Sequence, residues 1–174
     1  DRLLLMAHAS SEGAREGFRE VRIDEILWQA REELLKHEKE YTVTVALDEN
    51  ISDIENLTMR GDEQLLLSAV TNIMENGCKY SPDRSVRILL SHDTHNILVS
   101  FTDNGPGIAE DEIERIFESF YRSKSTASVR GHGIGLSLAS KIIDIHNGKI
   151  TVTSRQGEGT TIRLIFPAER FITV

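Results

Sequence analysis

Between Leu65 and Tyr80, the residues Leu66, Ala69, Val70, Ile73 and Met74 recur at the spacing of one face of an α-helix. An apolar stripe that wide needs a second layer to cover it, so the neighbouring elements decide the fold. Two strands follow at once, Val86 to Leu90 and Ile97 to Thr102. Ahead of the helix, Phe18 to Ile23 alternates apolar and charged residues, and Tyr41 to Leu47 is β-branched and alternating. Leu57 to Arg60 reads as another short strand, closed by Gly61-Asp62. Asp24 is placed as the N-cap of a helix whose Ile26, Leu27, Ala30, Leu34 and Leu35 share a face.

After Thr102 come a Gly-rich loop, a short helix around Glu110 to Phe117, and a polar stretch without periodicity from Ser123 to Arg130. Then follow a helix over Ile134 to His146 and a hairpin of Lys149–Ser154 and Thr160–Phe166, turning over Gln156-Gly157-Glu158-Gly159. Helices interleaved with strands that are mostly joined as hairpins imply an α+β protein. The expected form is a two-layer α/β sandwich with helices packed on one face of a mixed β-sheet. No internal repeat is visible. Residues 1 to 13 carry Leu3, Leu4, Met6 and Ala7 in helical spacing and run out near Gly13 and Gly17, the candidate boundary. Residues 1–15 are therefore expected to be the tail of a helix that begins outside this sequence, and 16–174 a globular domain.

At 174 residues the chain can bury roughly 70% of its unfolded surface. Aromatic residues make up only 6%, so the core must be mostly aliphatic. Lys plus Arg number 20 against 28 Asp plus Glu, a net charge of -8 that lacks the basic footprint of a nucleic-acid or anionic-membrane binder. Cys78 is the single cysteine, which leaves no disulfide framework and no cysteine-built zinc site. No apolar run approaches the ~20 residues of a membrane span.

Asn72, Asn76 and Lys79 stand at i, i+4 and i+7, so one helix face presents two amides and an ammonium. An amide oxygen is a hard, neutral ligand suited to Mg²⁺, which keeps several waters and shares substrate phosphates. Lys79 adds a point charge for phosphate. Taken alone, the same stripe is also what a solvated helix face looks like. Asp103 ends an apolar strand and precedes Asn-Gly-Pro-Gly. There it can accept a hydrogen bond from a buried ligand amine, or form an Asx turn, or both. Gly131, Gly133 and Gly135 lead directly into a helix, where bare backbone and unsatisfied N–H groups favour a polyphosphate. This is not a P-loop, since no Gly-Lys-Ser/Thr follows, nor a dinucleotide-binding turn, since no strand precedes it.

Four motifs run in order: Asn72-Ile-Met-Glu-Asn76-Gly-Cys-Lys79-Tyr80-Ser, Asp103-Asn-Gly-Pro-Gly-Ile108, Phe117-Glu-Ser-Phe120-Tyr-Arg122 and Gly131-His-Gly-Ile-Gly-Leu136-Ser. At these spacings they resemble the N box, first glycine box, F box and second glycine box of the histidine-kinase ATPase family. Gly157-Glu-Gly-Thr160 resembles its final glycine motif. The resemblance covers about residues 18 to 167 and implies a Bergerat-type ATP-binding fold. It further implies the catalytic ATP-binding domain of a two-component sensor histidine kinase. Such a domain binds Mg-ATP, releases ADP and donates the γ-phosphoryl to a histidine on a phosphoacceptor/dimerisation helical domain, for onward transfer to a response regulator receiver domain. The implied parent is a homodimer with its kinase portion in the cytoplasm, and residues 1–15 become the remnant of its dimerisation helix.

The resemblance also assigns residues. Asp103 takes the adenine amine, Asn76 and Asn72 the metal, and Asn72, Asn76, Lys79 and Arg122 the catalytic roles. Around the nucleotide it places Asn76, Lys79, Tyr80, Asp103, Gly105, Gly107, Ile108, Phe117, Phe120, Arg122, Arg130, Gly131, His132, Gly133, Ile134, Gly135, Leu136 and Thr160. Phe117, Phe120 and Tyr121 resemble the anchor of an ATP lid over about 118–132, expected to be mobile without nucleotide. Arg122 and Arg130 bracket that lid as γ-phosphate contacts, or as solvated loop cations. His132 departs from the small or polar residue often found between these glycines, and a phosphate or lid contact is expected of it.

Gyrase- and mismatch-repair-type ATPases of the same fold carry a water-activating Glu four residues before the metal-binding Asn. Here that position is Asn72, which cannot take a proton from water near neutral pH. Glu75 lies about 100° round the helix from Asn76 and is expected not to reach the same water. None of His8, His37, His92, His95, His132 or His146 has the His-Glu/Asp-x-x-x-Pro setting of a phosphoacceptor, so the acceptor is expected on a separate domain. The rival readings are a serine-directed anti-sigma kinase of the same fold and a partner-binding module that has lost ATP.

Overall fold

The computed structural model describes residues 15–51, 57–123 and 133–168. Most of the expected helix remnant (residues 1–14), His8, and residues 124–132 of the expected lid, with Arg130, Gly131 and His132, lie outside the described residues.

Arg19–Arg22 (β1) pairs antiparallel with Thr58–Gly61 (β3) as a small two-stranded sheet. The main sheet holds Thr42–Leu47 (β2), Ser85–His92 (β4), Asn96–Asp103 (β5), Lys149–Ser154 (β6) and Thr160–Pro167 (β7), in the order β2-β4-β5-β7-β6. β2 runs parallel to β4 and the other pairs are antiparallel, so the sheet is mixed. Three α-helices are described: Ile23–His37 (α1), Glu63–Tyr80 (α2) and Gly135–Ile145 (α3).

Alternation along the strands sends Val86, Ile88, Leu90, Ile97, Val99, Phe101, Ile162, Leu164 and Phe166 into the core. The helices bury Ile26, Leu27, Ala30 and Leu34 from α1, Leu66, Ala69, Val70, Ile73 and Met74 from α2, and Leu138, Ala139, Ile142 and Ile143 from α3 against that face. Each Val, Leu, Ile, Met or Phe among them, fully buried, contributes roughly 1.5–3 kcal/mol. The other face of the sheet is largely polar, with Thr102 and Thr161 hydroxyls 3.1 Å apart across β5 and β7. The expected sandwich, helices on one face of a mixed sheet, is the observed fold. Among the described residues no helix is long and apolar enough to cross a membrane.

Two local expectations are corrected. Helix α1 begins at Ile23, with Arg22 at the cap position and no side-chain cap bond, so Asp24 is not the N-cap. Asp24 sits in the first turn, where its carboxylate complements the helix dipole and pairs with the Arg22 guanidinium. The segment Glu110–Phe117 is not one helix but two 3-10 turns, Glu110–Glu112 and Arg115–Phe117. Asp62, by contrast, is a true N-cap: its side chain accepts the Leu65 N–H at 2.9 Å and starts α2.

His146 closes α3 and ties it to the start of α2. Its Nδ1 lies 2.7 Å from the Ile142 carbonyl and its Nε2 accepts the Asp62 N–H at 3.0 Å, while Phe18 stacks on the ring at 4.4 Å. Only a neutral ring protonated on Nδ1 satisfies both bonds. Burial, with the Arg15 charge acting in the same direction, holds the imidazole below its ordinary value despite the opposing Ile142 bond and Asp62 charge. The unfolded chain takes up this proton near pH 6.5 and the folded chain resists it. The stability from His146 is thus complete above about pH 6.5 and lost as pH falls from there through the lowered folded value. Urea midpoints measured between pH 7.5 and 5 should fall with acidification, and His146→Gln should flatten that slope. An unchanged slope in the variant would show that other groups set it.

Candidate functional site

One cleft opens where α2, the ends of β4, β5 and β7, the segment 106–123 and the start of α3 converge, about 1090 Å³ with the solvent at its mouth included. Its apolar wall comes from Ile73 on α2, Val86 and Phe101 on neighbouring strands, and Ile162 on β7. Gly77 lets α2 ride against the sheet here, for a methyl at that position would sit 2.6 Å from a Val86 methyl. The face of α2 towards β4 and β5 therefore carries no side chain at the point of closest approach.

Asp103 stands at the end of β5 in this wall. Its Oδ1 accepts the Gly105 N–H at 2.7 Å, the Asx turn that Asp before Asn-Gly can form. Burial pushes the carboxyl above its ordinary value, while the Gly105 and Thr160 backbone bonds pull it down and Asp83 pushes it up. The loop is held from below as well. Asp83 accepts bonds from Ser81 Oγ at 2.6 Å, the Ser85 N–H at 3.1 Å and Asn104 Nδ2 at 3.0 Å, which together hold its carboxyl far below the usual carboxylate range. On the far side, Gly157 donates its N–H to the Pro106 carbonyl at 2.8 Å, and the Ile108 N–H donates to Ser154 Oγ at 2.9 Å. The loop carrying Gly105, Gly107 and Ile108 is thus pinned on both flanks, and Gly107 and Ile108 reach the cleft.

About 100° round α2 from Gly77, Asn76 turns towards α3. A methyl at Gly135, the first residue of α3, would lie 3.7 Å from Asn76 Nδ2 and 3.1 Å from Asn72 Oδ1. The first N–H groups of α3 have no partner within the helix, and Gly135 and Leu136 at that helix start line the cleft together with Gly133. Lys79 and Arg122 also line it, and the Arg122 charge reaches the Tyr80 phenol. A carboxylate pocket in an apolar wall and a cationic helix start therefore share one cavity. That division of chemistry matches a ligand with a flat, hydrogen-bonding end and an anionic end.

Asn76, Lys79, Tyr80, Asp103, Gly107, Ile108, Arg122, Gly133, Gly135, Leu136 and Thr160 are all brought to the cleft. Gly105 and Ile134 do not line it. Asn72 does not line it: the residue is 4% exposed, its Nδ2 donates to the Ser68 carbonyl at 2.8 Å, and it packs beneath Gly135. Phe117 is half-buried off the cleft, and Phe120 is 70% exposed with φ +67°. Ile116 and Tyr121 take the lining positions beside them. Glu75, Ser123 and the wall residues Ile73, Val86, Phe101 and Ile162 also line the cleft, unanticipated from sequence. The apolar four carry only the signal of a buried face, which does not distinguish a core position from a cavity wall.

Among the described residues no three His, Cys, Asp or Glu gather to hold a metal. The donor set at the cleft, a neutral Asn76 amide beside two cations, fits a Mg²⁺ that draws most of its ligands from phosphate and water.

Residues 61–170 match the family described as histidine kinase-, DNA gyrase B-, and HSP90-like ATPase. The heme sensor protein HssS of Staphylococcus saprophyticus is 38% identical over 117 residues, 67% of this chain and 25% of that protein. The adaptive-response sensory kinase SasA of a Synechocystis species is 34% identical over 134 residues, 76% of this chain and 34% of that protein. The chain thus spans a quarter to a third of the length of these curated relatives. Among solved structures, the mycobacterial sensor histidine kinase MprB superposes with a TM-score of 0.73 at 26% identity, over 87% of this chain and 97% of that one. ShkA, solved full-length in complex with AMPPNP, superposes with a TM-score of 0.73 at 25% identity, over 96% of this chain and 35% of that one.

Proposed function

The chain belongs to the histidine kinase-, DNA gyrase B- and HSP90-like ATPase family as a histidine-kinase ATP-binding catalytic domain, and we propose that it donates the γ-phosphoryl of Mg-ATP to a histidine on a separate helical hairpin domain. The single observation that carries this reading is the shared cleft: a half-buried Asp103 at one side, and Asn76, Lys79, Arg122 and the open start of α3 at the other. On this reading Asp103 accepts the adenine amine, and Asn76 Oδ1 holds the metal with phosphate oxygens and water. Lys79 and Arg122 bind the phosphates, which rest against the N–H groups of α3. When bound, Mg²⁺ offsets charge on the β- and γ-phosphates.

The protein groups then act by position and field. An imidazole nitrogen of the acceptor forms a bond to the γ-phosphorus, the bond to the β,γ-bridging oxygen breaks, ADP leaves, and the imidazole proton passes to a base on the acceptor domain. Further members of the proposal are a dimerisation helix of which residues 1–15 are the tail, a homodimeric parent, a cytoplasmic setting and a response regulator receiver domain as the final acceptor.

A second reading, ATP hydrolysis, is favoured by Glu75, which lines the cleft. Against it stands Asn72, a buried amide bonded to Ser68 where a hydrolase would carry its base. The deciding experiment incubates the chain with γ-labelled ATP, Mg²⁺ and a histidine-bearing hairpin domain. Acid-labile label on the hairpin is expected, and Asn76→Ala should keep the fold but lose Mg-dependent nucleotide affinity and transfer. Label released only as free phosphate would favour the hydrolase, and identical titrations with and without Mg²⁺ would remove Asn76 as the metal ligand.

A further inference from the structure

Glu112 divides its two carboxylate oxygens between the residues that flank Arg122. The Tyr121 hydroxyl donates to Oε1 at 2.7 Å and the Ser123 hydroxyl donates to Oε2 at 2.6 Å. The Arg115 guanidinium lies 4.3 Å above the Tyr121 ring, and the Tyr121 N–H donates to the Glu118 carbonyl at 3.2 Å. Tyr121, Arg122 and Ser123 all line the cleft, and Glu112, on the first 3-10 turn, does not. A carboxylate this near an anion-binding cavity opposes anion binding by its charge alone. Its presence is better explained by what it holds.

We infer that Glu112 is the positioning residue for Arg122: by clasping Tyr121 and Ser123 it fixes the backbone between them and presents the guanidinium to the nucleotide phosphates. The inference rests on the nucleotide reading of the cleft and goes beyond it by naming what orders its exposed cation. An arginine side chain gives up rotamer freedom when a ligand fixes it. Anchoring the backbone on both sides removes part of the disorder that binding would otherwise have to overcome. Both side-chain bonds go to a single carboxylate on this turn, that of Glu112, so the role falls to it.

The sign of the effect separates this role from simple electrostatics. Removing a negative charge should tighten ATP binding if the charge were all that mattered. Glu112→Ala should instead weaken Mg-ATP binding by about tenfold, the scale of a lost charge-assisted contact. Glu112→Gln, which can accept from one hydroxyl and donate to the other, should bind at least as well as the unaltered chain. In a double-mutant cycle, Glu112→Ala should add nothing on an Arg122→Ala background. Calorimetric titration of the whole chain with Mg-ATP, with a melting curve for each variant, reads all of these. If Glu112→Ala does not fold, Tyr121→Phe with Ser123→Ala breaks the same two bonds and enters the same cycle. Equal or tighter binding by folded Glu112→Ala, additive losses in the cycle, or an Arg122→Ala variant that binds normally would each overturn the inference while leaving the nucleotide reading in place. Failure of the unaltered chain to bind ATP would overturn both.

Discussion

ATP is expected to bind this chain at least on the order of a hundredfold more tightly than GTP. Asp103 projects into a wall built by Ile73, Val86, Phe101 and Ile162, and two backbone N–H groups, those of Gly105 and Thr160, already bond its carboxyl. Held there, it can accept a hydrogen bond from an amine at the edge of adenine. Guanine would set a carbonyl oxygen against it, two acceptors with no proton between them. Asp103→Asn keeps the shape and supplies a donor, so the preference should shrink by at least on the order of tenfold. Acidification should act in the same direction. Burial has raised the Asp103 carboxyl above its ordinary value, and once protonated it too can donate to a carbonyl. Competitive titration with the two nucleotides at several pH values measures this, and equal affinities for ATP and GTP would refute the adenine role.

Among the described glycines, Gly107→Ala should be the most damaging added methyl. Gly107 has φ +69°, and an added Cβ would stand 2.0 Å from the Arg155 carbonyl oxygen and 2.6 Å from its carbon. Both are backbone atoms, so no side chain can swing aside. The crossing can open only by moving the β6–β7 turn, which the bonds from Gly157 to Pro106 and from Ile108 to Ser154 hold in place. A cost of about 3 kcal/mol or more is expected, or roughly 6–12 °C in melting temperature for a domain of this size. Two other glycines calibrate it. Gly157, at φ +81° with nothing within 4 Å, should cost about 1 kcal/mol as Ala, from backbone strain alone. Gly17, with no such φ and open space around it, should cost nothing measurable by this route. Melting curves of the three variants must fall in that order. A Gly107→Ala chain as stable as Gly157→Ala would mean the loop crossing is far looser than it looks.

How much of the site could be read in advance depended on what each residue's signal reports. Asn76 and Lys79 were legible because helix α2 was legible: with the apolar stripe of Leu66, Ala69, Val70, Ile73 and Met74 assigned to the core, the polar residues fall on known angles. Angle is not environment, however. Asn72 shares the Asn76 face one turn earlier, yet it is buried beneath Gly135, because the start of α3 crosses α2 at that level. Glu75, about 100° round α2 from Asn76, lines the cleft too, because the cavity spans more than one face of the helix. The F-box aromatics show the same gap. Periodicity fails in a segment of 3-10 turns, so nothing in the sequence indicated that Tyr121 and Ile116 would face the cavity while Phe120 pointed to solvent.

The sequence by itself determined the layers and their order: a period near 3.6 in α2 and α3 and alternation in the strands say which atoms must leave water, and that free energy is local to each element. It also determined the glycine-rich turns, because a backbone that must enter positive φ or pass another backbone closely admits little else. Only the tertiary structure decided which ends of these elements meet. The cleft exists because Gly77 lets α2 sink onto β4, Gly135 brings α3 over Asn72, and the Ser154 hydroxyl and the Gly157 N–H draw the Asp103 loop under the last hairpin. The Glu112 clasp on Tyr121 and Ser123 is of the same kind. Such contacts join residues whose separation along the chain carries no period, so their free energy is realised only when the whole sheet and its helices are already in place.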